Sequence, residues 1–193
     1  MDAILLRWLK PALFLIPLLG FLSSSGMDYD REKYIRKSFA LTQRMYVEVT
    51  NKYGNVEVET WAKDSVAFEI SIKVKSEDYS DLDELLKMIN VQITNTSGFV
   101  LAETTWAENV NFFKKQIYEI GKNLGASDRI EVNYKVKLPS TVPLEIKNEF
   151  GDVYLGDYKG AFELDLAHGD FRAHELSNVK DIKVKYGKVK IKR

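Results

Sequence analysis

Near the end of this chain one short phrase is repeated three times in a row: LEIKNEFGDVYL, LDLAHGDFRA and IKVKYGKVKI. Its glycines, Gly151, Gly169 and Gly187, fall 18 residues apart, twice in succession. An earlier copy, VEVTNKYGNVEV, surrounds Gly54. Apolar residues sit at odd offsets before each glycine (Val49, Ile146, Leu164 and Ile182 five before) and at even offsets after it. Val56, Val153, Phe171 and Val189 stand two after, and Val58, Leu155, Ala173 and Ile191 stand four after. A strand cannot keep one face inward through that change of phase unless the backbone turns there, and glycine reaches positive φ without steric cost. Gly54, Gly151, Gly169 and Gly187 are therefore expected to be structural turn glycines.

Constant spacing over consecutive copies predicts a solenoid, each coil burying its apolar face on the next. Stacked coils about 4.8 Å apart align equal offsets into columns. Tyr53, Phe150, His168 and Tyr186, each one residue before a glycine, are then expected to form a core ladder. That makes His168 a stacked ring rather than a ligand or general base. Asn51 and Asn148 share a column and read as turn-stabilising side chains. Glu145, Glu163 and Asp181 align six before the glycine. Such a column could favour a cation or supply an acid/base pair, whereas Lys147 and Lys183 could neutralise it.

The remainder reads in order. Residues 1–26 carry Arg7 and Lys10, an apolar run from Pro11 to Leu22 and then Ser23-Ser24-Ser25-Gly26, the layout of a secretory signal peptide cleaved after Ser25. The competing reading is an uncleaved anchor. Residues 27–143 form a β-rich N-terminal part. Ser65 to Val74 alternates strictly, with Val66, Phe68, Ile70, Ile72 and Val74 on one side. Leu82, Leu85, Leu86 and Ile89 then follow helical spacing, predicting a short helix at about 80–90 with Ser80 and Asp83 as a capping-box-like start. Ser97-Gly98 predicts a hairpin, residues 107–128 a variable insert, and Ile130 to Leu138 a further strand. Residues 144–193 hold the 18-residue rungs. From Lys180 to Arg193 there are seven basic residues and one acid, with no capping element: the cations guard an open edge, a strand-binding partner covers it or, the favoured expectation, rungs are missing beyond Arg193. The expected fold class is thus all-β in the main: antiparallel strands with one short α-helix, then a β-solenoid or β-helix-like repeat.

Composition excludes several functions. There is no cysteine, so there are no disulfides, thiolate metal sites or cysteine nucleophiles. His168 and His174 are the two histidines, too few for a histidine-rich metal centre. Lys+Arg and Asp+Glu both total 28, so the chain as a whole is no polyanion binder and no nucleic acid is expected. No motif of nucleotide binding, metalloprotease or serine hydrolase chemistry occurs. No catalytic residue, cofactor or metal ligand is assigned.

The phrases NKYGNVEVETWAKDSV (51–66), LPSTVPLEIKNEFGDVYLGDYKG, LAHGDF and KYGKVKI resemble a bacterial family of β-strand-repeat proteins called putative adhesins, common in Bacteroidota. The likeness covers about residues 33–193. It implies an all-β, solenoid-like domain exported to the periplasm, outer membrane or cell surface, with no catalytic residues to carry over. The expected function is a non-enzymatic envelope or surface scaffold binding an envelope protein or a glycan, with a membrane contact only through the leader if it is uncleaved. The alternatives are a carbohydrate-active enzyme on a β-helix surface, or a structural or sensory component pairing through its open last rung.

Overall fold

The computed structural model describes residues 29–76, 79–106 and 129–192. The leader expected at 1–26 and the insert expected at 107–128 lie outside these residues. Period-two alternation dominates what is described, and the result is mainly β: β1 (Tyr29–Ala40), β2 (Tyr46–Tyr53), β3 (Val56–Thr60), β4 (Ser65–Ser76), helix α1 (Tyr79–Met88), β5 (Ile89–Asn95), β6 (Phe99–Trp106) and β7 (Arg129–Leu138). The repeat adds β8 (Leu144–Phe150), β9 (Val153–Leu155), β10 (Phe162–His168), β11 (Phe171–Ala173), β12 (Val179–Tyr186) and β13 (Val189–Ile191).

The strands form two mixed sheets. One has seven strands in the order β1-β4-β7-β3-β9-β11-β13, and the other six, β12-β10-β8-β2-β6-β5. Each repeat glycine sits between the sheets, with the strand before it in the six-stranded sheet and the strand after it in the seven-stranded one. The apolar phase change follows from this, because inward means opposite faces of the chain on the two sides of the corner. Successive copies pair in parallel at equal offsets: Leu164 lies between Ile146 and Ile182, and Phe171 between Val153 and Val189.

The expectation of antiparallel strands throughout the N-terminal part is corrected. β1 with β4, β4 with β7, and β5 with β6 are antiparallel, but β2 pairs in parallel with both β6 and β8, and β3 with both β7 and β9. The copy around Gly54 carries the same offsets as the later ones, so it takes its place directly beside them.

The core lies between the sheets. Val47, Val49, Val56 and Val58 join Ile146, Val153, Leu164 and Phe171 there, and the alternating Val66, Phe68, Ile70, Ile72 and Val74 of β4 are all buried. A full burial of this kind stabilises by about 1.5–3 kcal/mol per large side chain. Helix α1 closes one end, packing on β4 and β1 of one sheet and β5 of the other, with Leu82 and Leu85 buried. Its boundaries differ from expectation: Ile89 opens β5 rather than completing a helical face, and Ser80 lies inside the helix. Asp83 pairs with Arg31 of β1 at 2.8 Å. At the opposite end β12 and β13 lack a covering layer among the described residues, and Val189 (50%) and Ile191 (41%) are exposed.

Candidate binding face

At the corners, Gly54, Gly151 and Gly169 have φ of 121°, 129° and 145°. Gly187 does not share the left-handed conformation, a departure from the expectation for this set. It is bound to glycine by proximity, since a Cβ there would run into the Gly169 carbonyl, as one on Gly169 would meet Gly151 and one on Gly151 would meet Gly54. The four corners stack backbone on backbone, and the amides of the first three each donate to the carbonyl preceding the next glycine, for example Gly151 N to His168 O at 2.9 Å.

The residues before the glycines do stack. Ring centroids are 5.4 Å apart for Tyr53 and Phe150, 4.8 Å for Phe150 and His168, and 4.7 Å for His168 and Tyr186. The column is not core, however: Phe150 is 41% and Tyr186 68% exposed, and His168 is exposed as well. An odd offset immediately before the corner is where the chain leaves the six-stranded sheet, so these rings stand on the outer rim. Ring faces are consumed by their neighbours, leaving edges and the outer face of Tyr186.

Asn51 and Asn148, two residues before these rings on the same face of their strands, are buried. Asn51 Nδ2 donates to Val132 O at 2.9 Å, and Asn148 Nδ2 donates to Gly54 O and Gly151 O, both at 3.0 Å. Thr104 Oγ1 donates to Asn51 Oδ1 at 3.1 Å and lies 2.7 Å from the Tyr134 hydroxyl. Burial pushes the Tyr134 hydroxyl pKa well above its ordinary value, so it stays protonated. Asn51, which also donates to Gly54 O at 3.3 Å, and Asn148 thereby satisfy corner carbonyls.

The carboxylate column aligns, with Glu48 added at its start: Glu48, Glu145, Glu163 and Asp181 are adjacent across β2, β8, β10 and β12. Lys147 Nζ bridges Glu145 at 2.7 Å and Glu48 at 2.9 Å, and Lys183 holds Asp181 at 2.6 Å. Hydrogen bonds that Lys147 donates to Glu145 and then to Glu48 raise its pKa, so its charge stays in place. Among the described residues no cluster of three or more His, Cys, Asp or Glu could hold a metal ion.

A column one residue after the glycine was not picked out by the sequence reading. Asn133 Oδ1 accepts from Asn55 N at 2.8 Å and Asn55 Oδ1 from Asp152 N at 2.8 Å. Asp152 Oδ1 accepts from Asp170 N at 2.9 Å, and Asp170 Oδ1 from Lys188 N at 3.0 Å. Lysine offers no acceptor, so the chain of bonds stops there. The available signal was the aligned Gly-Asp pair in two successive copies. Each aspartate keeps its second oxygen for the surface: Asp152 Oδ2 accepts from the Tyr154 hydroxyl at 2.8 Å and Asp170 Oδ2 from Arg172 at 3.0 Å. Arg172 also donates to the Tyr154 hydroxyl at 3.1 Å and lies over its ring. The Asp170 amide, with help from Tyr154 and Arg172, holds the Asp152 carboxyl below the usual range against the opposing effect of burial.

This column borders a row of outward side chains that crosses the whole seven-stranded sheet. Register places Arg36 beside Glu69, Glu69 beside Lys135 and Lys135 beside Glu57. Glu57 then adjoins Tyr154, Tyr154 adjoins Arg172, and Arg172 adjoins Lys190. Lys135 pairs with Glu59 at 2.7 Å and Lys137 with Glu69 at 3.5 Å, so the β1–β3 half is internally neutralised. The β11–β13 half is not: Lys188, Lys190 and Lys192 make no ion pair among the described residues. Two shallow depressions of about 350 and 560 Å³ lie along this row, sharing Glu57 and Tyr154 in their walls. The larger contains Gly156, where an added Cβ would meet nothing closer than Val58 O at 3.9 Å.

The architecture is that of a mainly β protein of two mixed sheets carrying a cross-strand polar face. Among solved structures it is similar to a putative cell adhesion protein from Clostridium sporogenes, at 8% identity over 84% of this chain and 99% of that one, with a TM-score of 0.43. It is also similar to putative adhesins from Parabacteroides distasonis (12% identity, 83% of this chain, 66% of that one, TM-score 0.36) and Bacteroides fragilis (10%, 82%, 97%, 0.25). No family model and no curated protein sequence matches the chain.

Proposed function

We propose that this chain is an exported, non-enzymatic binding scaffold of the bacterial envelope or surface, with residues 1–26 as its leader and the repeat of 144–193, joined by the Gly54 copy, as a β-solenoid. One observation carries the reading: a continuous polar row crosses seven strands, its members fixed by backbone register and by the aspartate column behind them. A face so constructed suits recognition over an extended surface. Equal offsets pairing in parallel in both sheets, with a glycine corner between, support the solenoid description. The basic n-region, apolar run and Ser23–Ser25 support export. The glycosidase alternative draws on Glu145, Glu163 and Asp181, but Lys147 and Lys183 occupy that column's charge, and the raised Lys147 pKa does not favour a proton-transfer pair. A second reading, pairing of the last rung with another strand, is favoured by the exposed Tyr186, Val189 and Ile191.

Cell fractionation tests the proposal. The protein is expected in the periplasmic, outer-membrane or surface fraction, with a mature N-terminus after Ser25. Intact protein confined to the cytoplasm, or glycan turnover abolished by Glu163→Gln and Asp181→Asn, would refute it. Cross-linking through Tyr186 to a second strand would promote the second reading.

A further inference from the structure

The cross-strand row has a direction. Between β1 and β3 its acids and lysines satisfy one another, whereas around the Gly156 depression Arg172 pairs with Asp170 and Asp152 and His174 approaches Asp157, while Lys190 and Lys192 make no ion pair among the described residues. His174 lies 3.6 Å from Asp157, and Arg172 is held by Asp170 and Tyr154 with 47% of its side chain exposed. Gly156 needs neither a positive φ nor close packing, so the absent side chain opens the depression without serving the fold. Two depressions that share Glu57 and Tyr154 in their walls lie in line across the strands, a trough of two parts.

We propose that this trough binds a linear, carboxylate-bearing polysaccharide, its acid groups seated against Arg172, His174, Lys190 and Lys192 and its hydroxyls against Glu57, Glu59 and Tyr154. The proposal rests on the scaffold reading above and names the ligand class of the same face. The chain as a whole is balanced, at 28 basic and 28 acidic residues, but charge selects an anionic occupant locally at the β11–β13 end, where Lys188, Lys190 and Lys192 make no ion pair among the described residues. Geometry selects a glycan over a peptide. Within the sheet the backbone groups are already paired, and extended peptides bind sheet edges through main-chain bonds rather than faces. Strands about 4.8 Å apart repeat at close to the length of one extended pyranose, so successive sugars meet successive strands. Guanidinium and carboxylate pair with the strength of charge-assisted hydrogen bonds.

The test is titration of the purified protein with oligogalacturonate long enough to cross the sheet, with its neutral methyl ester and with poly-L-glutamate. Oligogalacturonate is expected to bind at least about tenfold more tightly than either comparator, as loss of one charge-assisted contact implies. Gly156→Leu, which fills the depression, and Lys190→Gln are each expected to weaken binding by at least about tenfold. Lys183→Gln, on the opposite sheet, should leave it unchanged, and unchanged melting of Gly156→Leu shows that folding is intact. Absence of binding, equal affinity for poly-L-glutamate, indifference to Gly156→Leu, or equal loss in Lys183→Gln overturns the proposal. A surface-located protein that binds no polyuronate refutes only this ligand assignment. A cytoplasmic one that binds it refutes the scaffold reading and leaves the trough standing.

Discussion

Gly151 carries two constraints on the same missing atom: a φ of 129°, and a Gly54 carbonyl lying where a Cβ would be. Gly156, five residues on, carries neither. Gly151→Ala is therefore expected to destabilise by more than about 1 kcal/mol, while Gly156→Ala stays within about 0.5 kcal/mol of the parent. Chemical denaturation of both variants decides the matter, and equal losses would contradict the stacked-corner account. Asp152 makes a second prediction. Its folded pKa is lowered from an ordinary 3.8, so its contribution is complete above that value and is lost as pH falls through the lower folded one. Asp152→Asn keeps an acceptor for the Asp170 amide but cannot titrate. Its urea midpoint should fall less than the parent's between about pH 5 and pH 2. A parent acid limb unaffected by the substitution would show that the carboxylate is not the source. Asn148 marks the limit of such columns: its Oδ1 is buried without a partner among the described residues, and the next copy puts Leu166 at that offset.

Among elements, the two ends of the sheets are treated differently. Helix α1 buries Leu82 and Leu85 across one end, whereas β13 ends the seven-stranded sheet with exposed Val189 and Ile191. The last copy of the repeat is held chiefly by backbone bonds such as Phe171 N to Lys188 O at 2.8 Å, with little apolar burial to reinforce them. Local opening follows burial, so the amides of β13 are expected to exchange with deuterium at least about tenfold faster than those of β9, although both make three-residue parallel ladders. Equal protection would mean that something covers the end in solution. Element types were largely legible from alternation, since Val66 to Val74 and the hairpin at Ser97-Gly98 announce themselves. The helix boundaries were not, because Ile89 suits a helical face and a buried strand start equally well. Nor was the rim position of Phe150 and His168: offset alone does not say which side of a corner leaves the core.

For the molecule as a whole, one buried cluster runs from Met45 to Ala173 and includes strands on both sides of residue 143. Far-UV circular dichroism and the fluorescence of Trp61 and Trp106 should then report coincident urea transitions. Two separated transitions would indicate halves that unfold independently. The sequence by itself determined the alternation, the corners and the equal offsets of the four copies. These are local properties, set by side-chain direction along a strand and by the conformations open to glycine. The tertiary structure alone decided that β2 stands between β6 and β8 and β3 between β7 and β9. It also decided that the rings before the last three glycines are exposed and that Arg36 to Lys190 form one row. Those outcomes depend on pairing between segments far apart in the chain, where register is fixed by how two sheets jointly bury their inner faces, and no local pattern encodes it.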